Sequence, residues 1–211
     1  MTPTPDQVAA ALAEHVRKDM AALPGRHNTL RAGILVPLVW RGELECVLTE
    51  RCAKLRHHGG EVSFPGGRPE PDDVDLAATA VRETHEEIGV ADVRLLGELS
   101  SVPLYTSEFR LVPFVAALPD QPMRPAEGEV AAILRFSIRA ELERGWSHGI
   151  PWEHGDARFV SPVYELEGRI VYGGTAEVLG ELVRVLAPLY GRPAPELRPG
   201  RYTWPEVLVR E

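Results

Sequence analysis

Three glutamates carry the strongest chemical signal in this chain. Glu83, Glu86 and Glu87 stand at i, i+3 and i+4, a spacing that puts them on one arc of a helix. Acids this close repel one another unless something positive sits among them. An oxygen-only donor set suits a hard divalent cation such as Mg²⁺ or Mn²⁺. A solvated acidic helix face would show the same residues, as charge runs commonly do. The loop upstream separates the two readings. Gly66 and Gly67 let backbone come close to a ligand and offer it carbonyls or amides. A second cluster lies earlier: Arg51, Lys54 and Arg56 place three permanent cations within six residues, with His57 and His58 beside them. Arginine grips phosphate bidentately. Ordinary loop cations, or an Arg56 paired to the acidic helix, would leave the same composition. The two histidines have no companion ligands at metal-binding spacing.

The acids need a helix, and the pattern supplies one. From about Val74 to Ile88 the periodicity is helical, with Ala77, Ala80, Val81, Thr84 and Ile88 on a core-facing arc. Gly89 is placed to stop it, and Asp72, Asp73 or Asp75 is placed to cap its start. Upstream, residues 32–40 and 44–51 read as strands joined by a turn at Arg41-Gly42-Glu43, and residues 52–73 as loop. Val8, Leu12, Val16 and Met20 recur in steps of four after Thr4-Pro5-Asp6, which predicts a helix over 5–22. Strands are expected near 93–103, 109–118 and 129–138, a hairpin over 157–164 and 168–172, and a last helix over 175–189. Beyond it Pro193, Pro195, Pro199 and Pro205 predict an extended tail over about 190–211. Strands mixed with a few helices around one sheet give an α/β (α+β) class.

Composition bounds the function. A chain of 211 residues, 44% of them hydrophobic, is expected to be one domain (1–211) with a proper core. The net charge of -8 disfavours a nucleic-acid partner, which needs a cationic footprint, and an anionic membrane surface. The longest apolar run, 34–40, is too short to span a bilayer. Asp6, Glu14 and Asp19 interrupt the start where a signal peptide needs an uncharged core. Cys46 and Cys52 are the only cysteines, too few for a disulfide scaffold and unlike any zinc spacing. A soluble cytoplasmic protein is the expectation.

Arg82-Glu83-Thr84-His85-Glu86-Glu87-Ile88-Gly89-Val90, with its upstream glycine loop, resembles the Nudix box of hydrolases that cleave nucleoside diphosphates linked to another moiety. Thr84 stands where an aliphatic residue is usual. Six steps from Gly67 reach Asp73 and nine more reach Arg82, one residue longer than the usual box. Asp73 thus replaces the box's first glutamate, whose usual role is structural. Residues 48–51 and 55–67, from Leu48-Thr49-Glu50-Arg51 to Phe64-Pro65-Gly66-Gly67, are similar to the signature that precedes the box in coenzyme A diphosphatases, a group that tolerates the longer box. Residues 170–179 are similar to that group's C-terminal segment, with Tyr172 where tryptophan is common, and Glu129-Val130 resembles a further short element. The resemblance covers residues 34–180 and implies a Nudix-type α/β/α sandwich around a mixed β-sheet.

It also implies Mg²⁺ or Mn²⁺ held by Glu83 and Glu87, with Glu86 sharing the metal or orienting water and the Gly67 carbonyl completing the shell. Glu83, Glu86 and Glu87 are then the catalytic set. Arg51, Lys54, Arg56, His58 and Gly66 are the candidate substrate contacts. Arg82 is expected to orient a glutamate by pairing. The general base stays open among Glu86, Glu127, Glu129 and Glu177. The implied substrate is coenzyme A or a derivative, cut to 3′,5′-ADP and 4′-phosphopantetheine. The alternatives are another Nudix substrate, such as ADP-ribose, NADH or a nucleoside triphosphate, and a noncatalytic nucleotide-sensing module.

Overall fold

The structure, a computed structural model, describes residues 1–154 and 157–208. In chain order the elements are α1 (Pro5–Glu14), β1 (Leu30–Arg41), β2 (Glu43–Arg51), β3 (Val62–Ser63), β4 (Gly66–Gly67) and α2 (Leu76–Ile88). They continue with β5 (Arg94–Glu98), β6 (Val102–Pro103), β7 (Phe109–Ala117), β8 (Val130–Ser137) and α3 (Ile138–Arg144). The chain closes with β9 (Trp146–His154), β10 (Ala157–Leu166), β11 (Arg169–Val171), α4 (Gly173–Leu186), a 3-10 turn over 187–190, β12 (Glu196–Pro199) and α5 (Trp204–Val207).

β1 is buried without a break from Ala32 to Val39, the mark of a strand covered on both faces. Leu35 and Val39 point to one side, where they meet Ala80 and Ile88 of α2. Ile34, Val36 and Leu38 point to the other, against Val8 and Leu12 of α1, Ile138 and Leu142 of α3, and the apolar face of α4. The result is an α/β/α sandwich. Its sheet is mixed: β1 runs parallel to β7, while β2 pairs antiparallel with β1 and β8. A smaller sheet, β11-β10-β9-β12, stands beside it.

One irregularity in the main sheet places the glycine loop. β1 and β2 pair only over the turn end, Leu38–Arg41 with Glu43–Cys46. Beyond that they diverge, and the segment 62–67 fills the gap. Val62 and Ser63 pair with Glu50 and Thr49 on β2, and Gly66 and Gly67 pair with Ile34 and Gly33 on β1. No side chain fits there: a Cβ on Gly66 would lie 2.5 Å from the Gly33 carbonyl oxygen and 2.6 Å from Ile34 Cα.

Several expectations need correction. The first helix spans 5–14, not 5–22. Val8 and Leu12 are buried, but Val16 is 75% exposed. His15 ends the helix in extended conformation. From there the chain is drawn off by side chains elsewhere: His15 Nε2 meets Glu181 at 2.6 Å, the Lys18 amide donates to Ser100 Oγ at 2.8 Å, and Arg17 pairs with Glu98. The tail is not simply extended. Glu196–Pro199 adds parallel to β9, and a capping box at Thr203 starts α5, whose Val207 is buried; residues 209–211 lie outside the described residues. The 129–138 strand stops at Ser137, because its hydroxyl accepts from the Ala140 amide and starts α3. That helix and β9 had no sequence expectation.

α2 reaches the sheet because Gly33 has no side chain; a Cβ there would lie 2.2 Å from the Leu76 carbonyl oxygen. Gly33→Ala must push the helix off the strand that carries Gly66 and Gly67. It is expected to lower the unfolding free energy by about 1–3 kcal/mol, read from urea denaturation. A change below about 0.5 kcal/mol, ordinary for a neutral surface site, would show that the helix is free to shift.

Candidate active site

α2 begins where Asp75 caps the Ala78 amide at 2.8 Å and ends at Gly89, whose left-handed φ of 74° closes the last turn. Ala80, Thr84 and Ile88 are buried on the predicted face, and Ala77 and Val81 pack at its margin. Thr84 is tolerated in an aliphatic position because its hydroxyl donates to the Ala80 carbonyl at 2.7 Å.

The three glutamates leave this helix in different directions. Glu87 turns inward and is only 5% exposed; Thr49 Oγ1 donates to it at 3.4 Å and the Gly66 amide also binds it. Burial pushes its carboxyl up to about 7, with Glu83 and Glu129 adding to the rise and Arg51 opposing it. Glu83 is half-buried and also raised, chiefly by desolvation, with Arg82 opposing and Glu86 and Glu129 adding. It lies so close to the glycine loop that a Cβ on Gly67 would meet its Oε1 at 2.3 Å. Glu86 is 53% exposed.

Arg82 is the positive charge that the acidic face requires. Its Nη1 lies 3.0 Å from Glu83 and 3.1 Å from Glu86. Nε and Nη2 form a two-point grip on Asp73, each at 3.1 Å, and Nη2 also donates to the Arg68 carbonyl. Asp73 is nearly covered and takes further bonds from Thr79 Oγ1 at 2.9 Å and the Glu70 amide at 2.8 Å. The Arg82 guanidinium holds the Asp73 carboxyl down, to about 2. The one-residue-longer loop thus brings an aspartate to the arginine. Asp73 supports the helix through Arg82, and Asp75 supplies the cap.

Among the described residues, no three His, Cys, Asp or Glu side chains are gathered tightly enough to hold a metal ion as they stand. The donor chemistry nevertheless fits a hard cation. Glu83, Glu86, Glu87 and Glu129 are all oxygen donors; neighbouring carboxylates add to the raised proton affinity of Glu83 and of Glu87, and the missing Cβ of Gly67 lets the Glu83 carboxylate come up against the glycine loop. Such a set gains from a divalent charge among its members.

A cleft of about 680 Å³ opens beside the glycine loop. Of the expected substrate contacts, Arg51, His58 and Gly66 line it, as does Gly67. Lys54 and Arg56 are exposed and lie outside the lining, as does His57. Arg51 Nε is buried with no hydrogen-bond partner among the described residues. His58 adopts a left-handed φ of 56°, and its Nδ1 lies 3.2 Å from Glu61, another cleft residue. Of the four candidate bases, Glu177 lines the cleft and is raised by burial. Glu129 couples to Glu83 and Glu87, Glu86 pairs with Arg82, and Glu127 is exposed. Sequence reasoning missed the far walls: Met20 and Leu23 before the sheet, Trp152 and Ser161 in the second sheet, and Trp204 in the tail. Only the apolar type of most of these residues could have hinted at them.

The NUDIX domain family matches residues 29–154. Two relatives named uncharacterized Nudix hydrolase NudL, from Salmonella paratyphi B and Salmonella newport, are each 34% identical over 163 residues, 74% of this chain and 84% of theirs. Similar solved structures include a NUDIX hydrolase from Nitrosomonas europaea, 18% identical with a TM-score of 0.49, covering 82% of this chain and 78% of that one. Another is a MutT/nudix family protein from Enterococcus faecalis, 13% identical with a TM-score of 0.48, covering 85% and 66%. The chain belongs to the Nudix family of hydrolases, which act on the pyrophosphate bonds of nucleoside diphosphate derivatives and generally use divalent metal.

The Arg82–Asp73 grip has a pH signature. A carboxyl lowered from 3.8 to about 2 contributes stability that is fully present above the unfolded value and is lost as pH falls through the folded one. Asp73→Asn is therefore expected to unfold at lower urea than the parent at pH 7. The gap should close as pH drops from about 4 toward 2. Urea midpoints measured across that range check it, and a gap independent of pH would remove the charge on Asp73 from the account.

Proposed function

We propose that this Nudix hydrolase cleaves the diphosphate of coenzyme A or its derivatives, releasing 3′,5′-ADP and 4′-phosphopantetheine or its acyl form. The observation that carries the reading is the fate of residues 48–67, the segment similar to the coenzyme A diphosphatase signature. It folds as one unit along the cleft, with Arg51, His58, Glu61, Gly66 and Gly67 all in the wall. The cleft is far larger than a diphosphate requires, and apolar side chains such as Leu23, Ile34, Phe64, Leu104 and Leu111 form much of its surface. That suits a substrate with a long, weakly polar arm beyond its phosphates.

Glu83 and Glu87 would hold Mg²⁺ or Mn²⁺ with the Gly67 carbonyl, Glu86 sharing that task or orienting water. When bound, the cation neutralises phosphoryl oxygens and lowers the barrier to attack by water. Arg51 lines the cleft and its buried Nε has no hydrogen-bond partner among the described residues; an orphaned donor of this kind gains from a phosphate oxygen. Arg82 keeps Glu83 and Glu86 in place; like Glu83, Glu86 and Glu87, it stands behind the residues that line the cleft. The enzyme would work in the cytosol, where the free thiols Cys46 and Cys52 stay reduced.

Product analysis on coenzyme A, ADP-ribose, NADH and deoxynucleoside triphosphates, with Mg²⁺ or Mn²⁺, tests the substrate. Coenzyme A is expected to show the highest kcat/KM, with 3′,5′-ADP among its products; preference for any other member overturns the coenzyme assignment. Glu83→Gln and Glu87→Gln are each expected to cut turnover by at least about 10²-fold. Near-parental rates in both at limiting Mg²⁺ would remove these glutamates from the site.

A further inference from the structure

Two large aromatics stand apart from the packing that stabilises the fold. Trp152 on β9 and Phe159 on β10 are direct cross-strand partners. Their rings stack with centroids 4.5 Å apart and planes inclined by 22°. Neither belongs to any of the three buried clusters among the described residues. Phe159 is 43% exposed, yet Trp152 is held firmly. Its Nε1–H donates to Ser161 Oγ at 3.0 Å, and the Ser161 hydroxyl is in turn bonded to the Glu177 carboxylate. One contact fixes the tilt of the indole and the other fixes its rotation in plane. Trp152, Ser161 and Glu177 line the same cleft as Arg51, Gly66 and Gly67.

An aromatic ring supported on one face, pinned at its polar edge and lining an enzyme's cleft is a stacking platform. It is sequence-tolerant toward planar rings because every nucleobase has a π-face. We infer that Trp152, backed by Phe159 and locked by Ser161, binds the nucleobase of the substrate by stacking, with the phosphates toward Arg51 and the glycine loop. The inference rests on the nucleoside diphosphate reading of the site, but not on coenzyme A as the particular substrate. Trp152 is then a binding residue, and Ser161 and Phe159 are positioning residues that act through it.

The test compares two probes that differ only in the base, AMP and ribose 5-phosphate, titrated by calorimetry into the full chain with Mg²⁺ present. Trp152→Ala is expected to weaken AMP by about 5- to 150-fold and to leave ribose 5-phosphate within about two-fold. Trp152→Phe keeps a planar ring and the cross-strand pair, so it should hold AMP within about three-fold of the parent and guards against a misfolded alanine variant. Ser161→Ala frees the indole without deleting it and should give a smaller loss for AMP alone. The platform is overturned if the parent shows no preference for AMP over ribose 5-phosphate. It is equally overturned if Trp152→Ala weakens both probes alike while Trp152→Phe does the same. Failure to cleave coenzyme A in the panel above would remove that substrate and leave the AMP comparison to decide the platform.

Discussion

A cluster of carboxylates on one helix can exist in a folded protein only if something offsets their mutual repulsion, and here Arg82 does so. It touches Glu83 and Glu86 on one side and grips Asp73 on the other. Asp73 is fixed in turn by the Glu70 amide and Thr79. The guanidinium is therefore a rigid internal cation, since its planar fork loses little freedom per bond formed. Glu87 lies outside its reach and keeps a raised proton affinity in a desolvated pocket. The acidic face is thus only partly compensated, the condition in which a divalent cation gains most from binding.

The acids are useful only if the glycine loop meets them, and that meeting depends on strands that separate. Had β1 and β2 stayed paired along their length, residues 62–67 would have had no edges to join. Their divergence after Leu38 and Cys46 lets Gly66 and Gly67 pair with β1 while Val62 and Ser63 pair with β2. One wedge then carries the Gly66 amide to Glu87, sets Gly67 against Glu83 and exposes Arg51 to the cleft.

What the sequence revealed follows from how local each signal was. The helix bearing the acids was legible because its apolar arc, its aspartates and Gly89 all act within a few turns. Arg82 was legible as pairing with a glutamate, and the resemblance to the Nudix box put Asp73 at the box's first position, but the grip of Arg82 on Asp73 was not foreseen. The first helix was overcalled because Val16 and Met20 keep the helical step, while the contacts that end it come from Ser100 and Glu181, more than eighty residues away. Lys54 and Arg56 shared a stretch with Arg51, but only Arg51 sits on a strand end that faces inward. Trp152 and Trp204 were invisible as site residues, because nothing near them in the chain marks which surface they will share.

The cleft draws part of its wall from outside the residues that carry the Nudix match. Met20, Leu23 and Pro24 precede that stretch, and Ser161, Tyr172, Glu177, Trp204 and Leu208 follow it. Part of the cleft's shape is therefore encoded outside the stretch that holds Glu83, Glu86 and Glu87. Point changes in the flanks can reshape the cleft without touching Glu83, Glu86 or Glu87. A lineage can drift between substrates this way while its hydrolytic centre stays fixed.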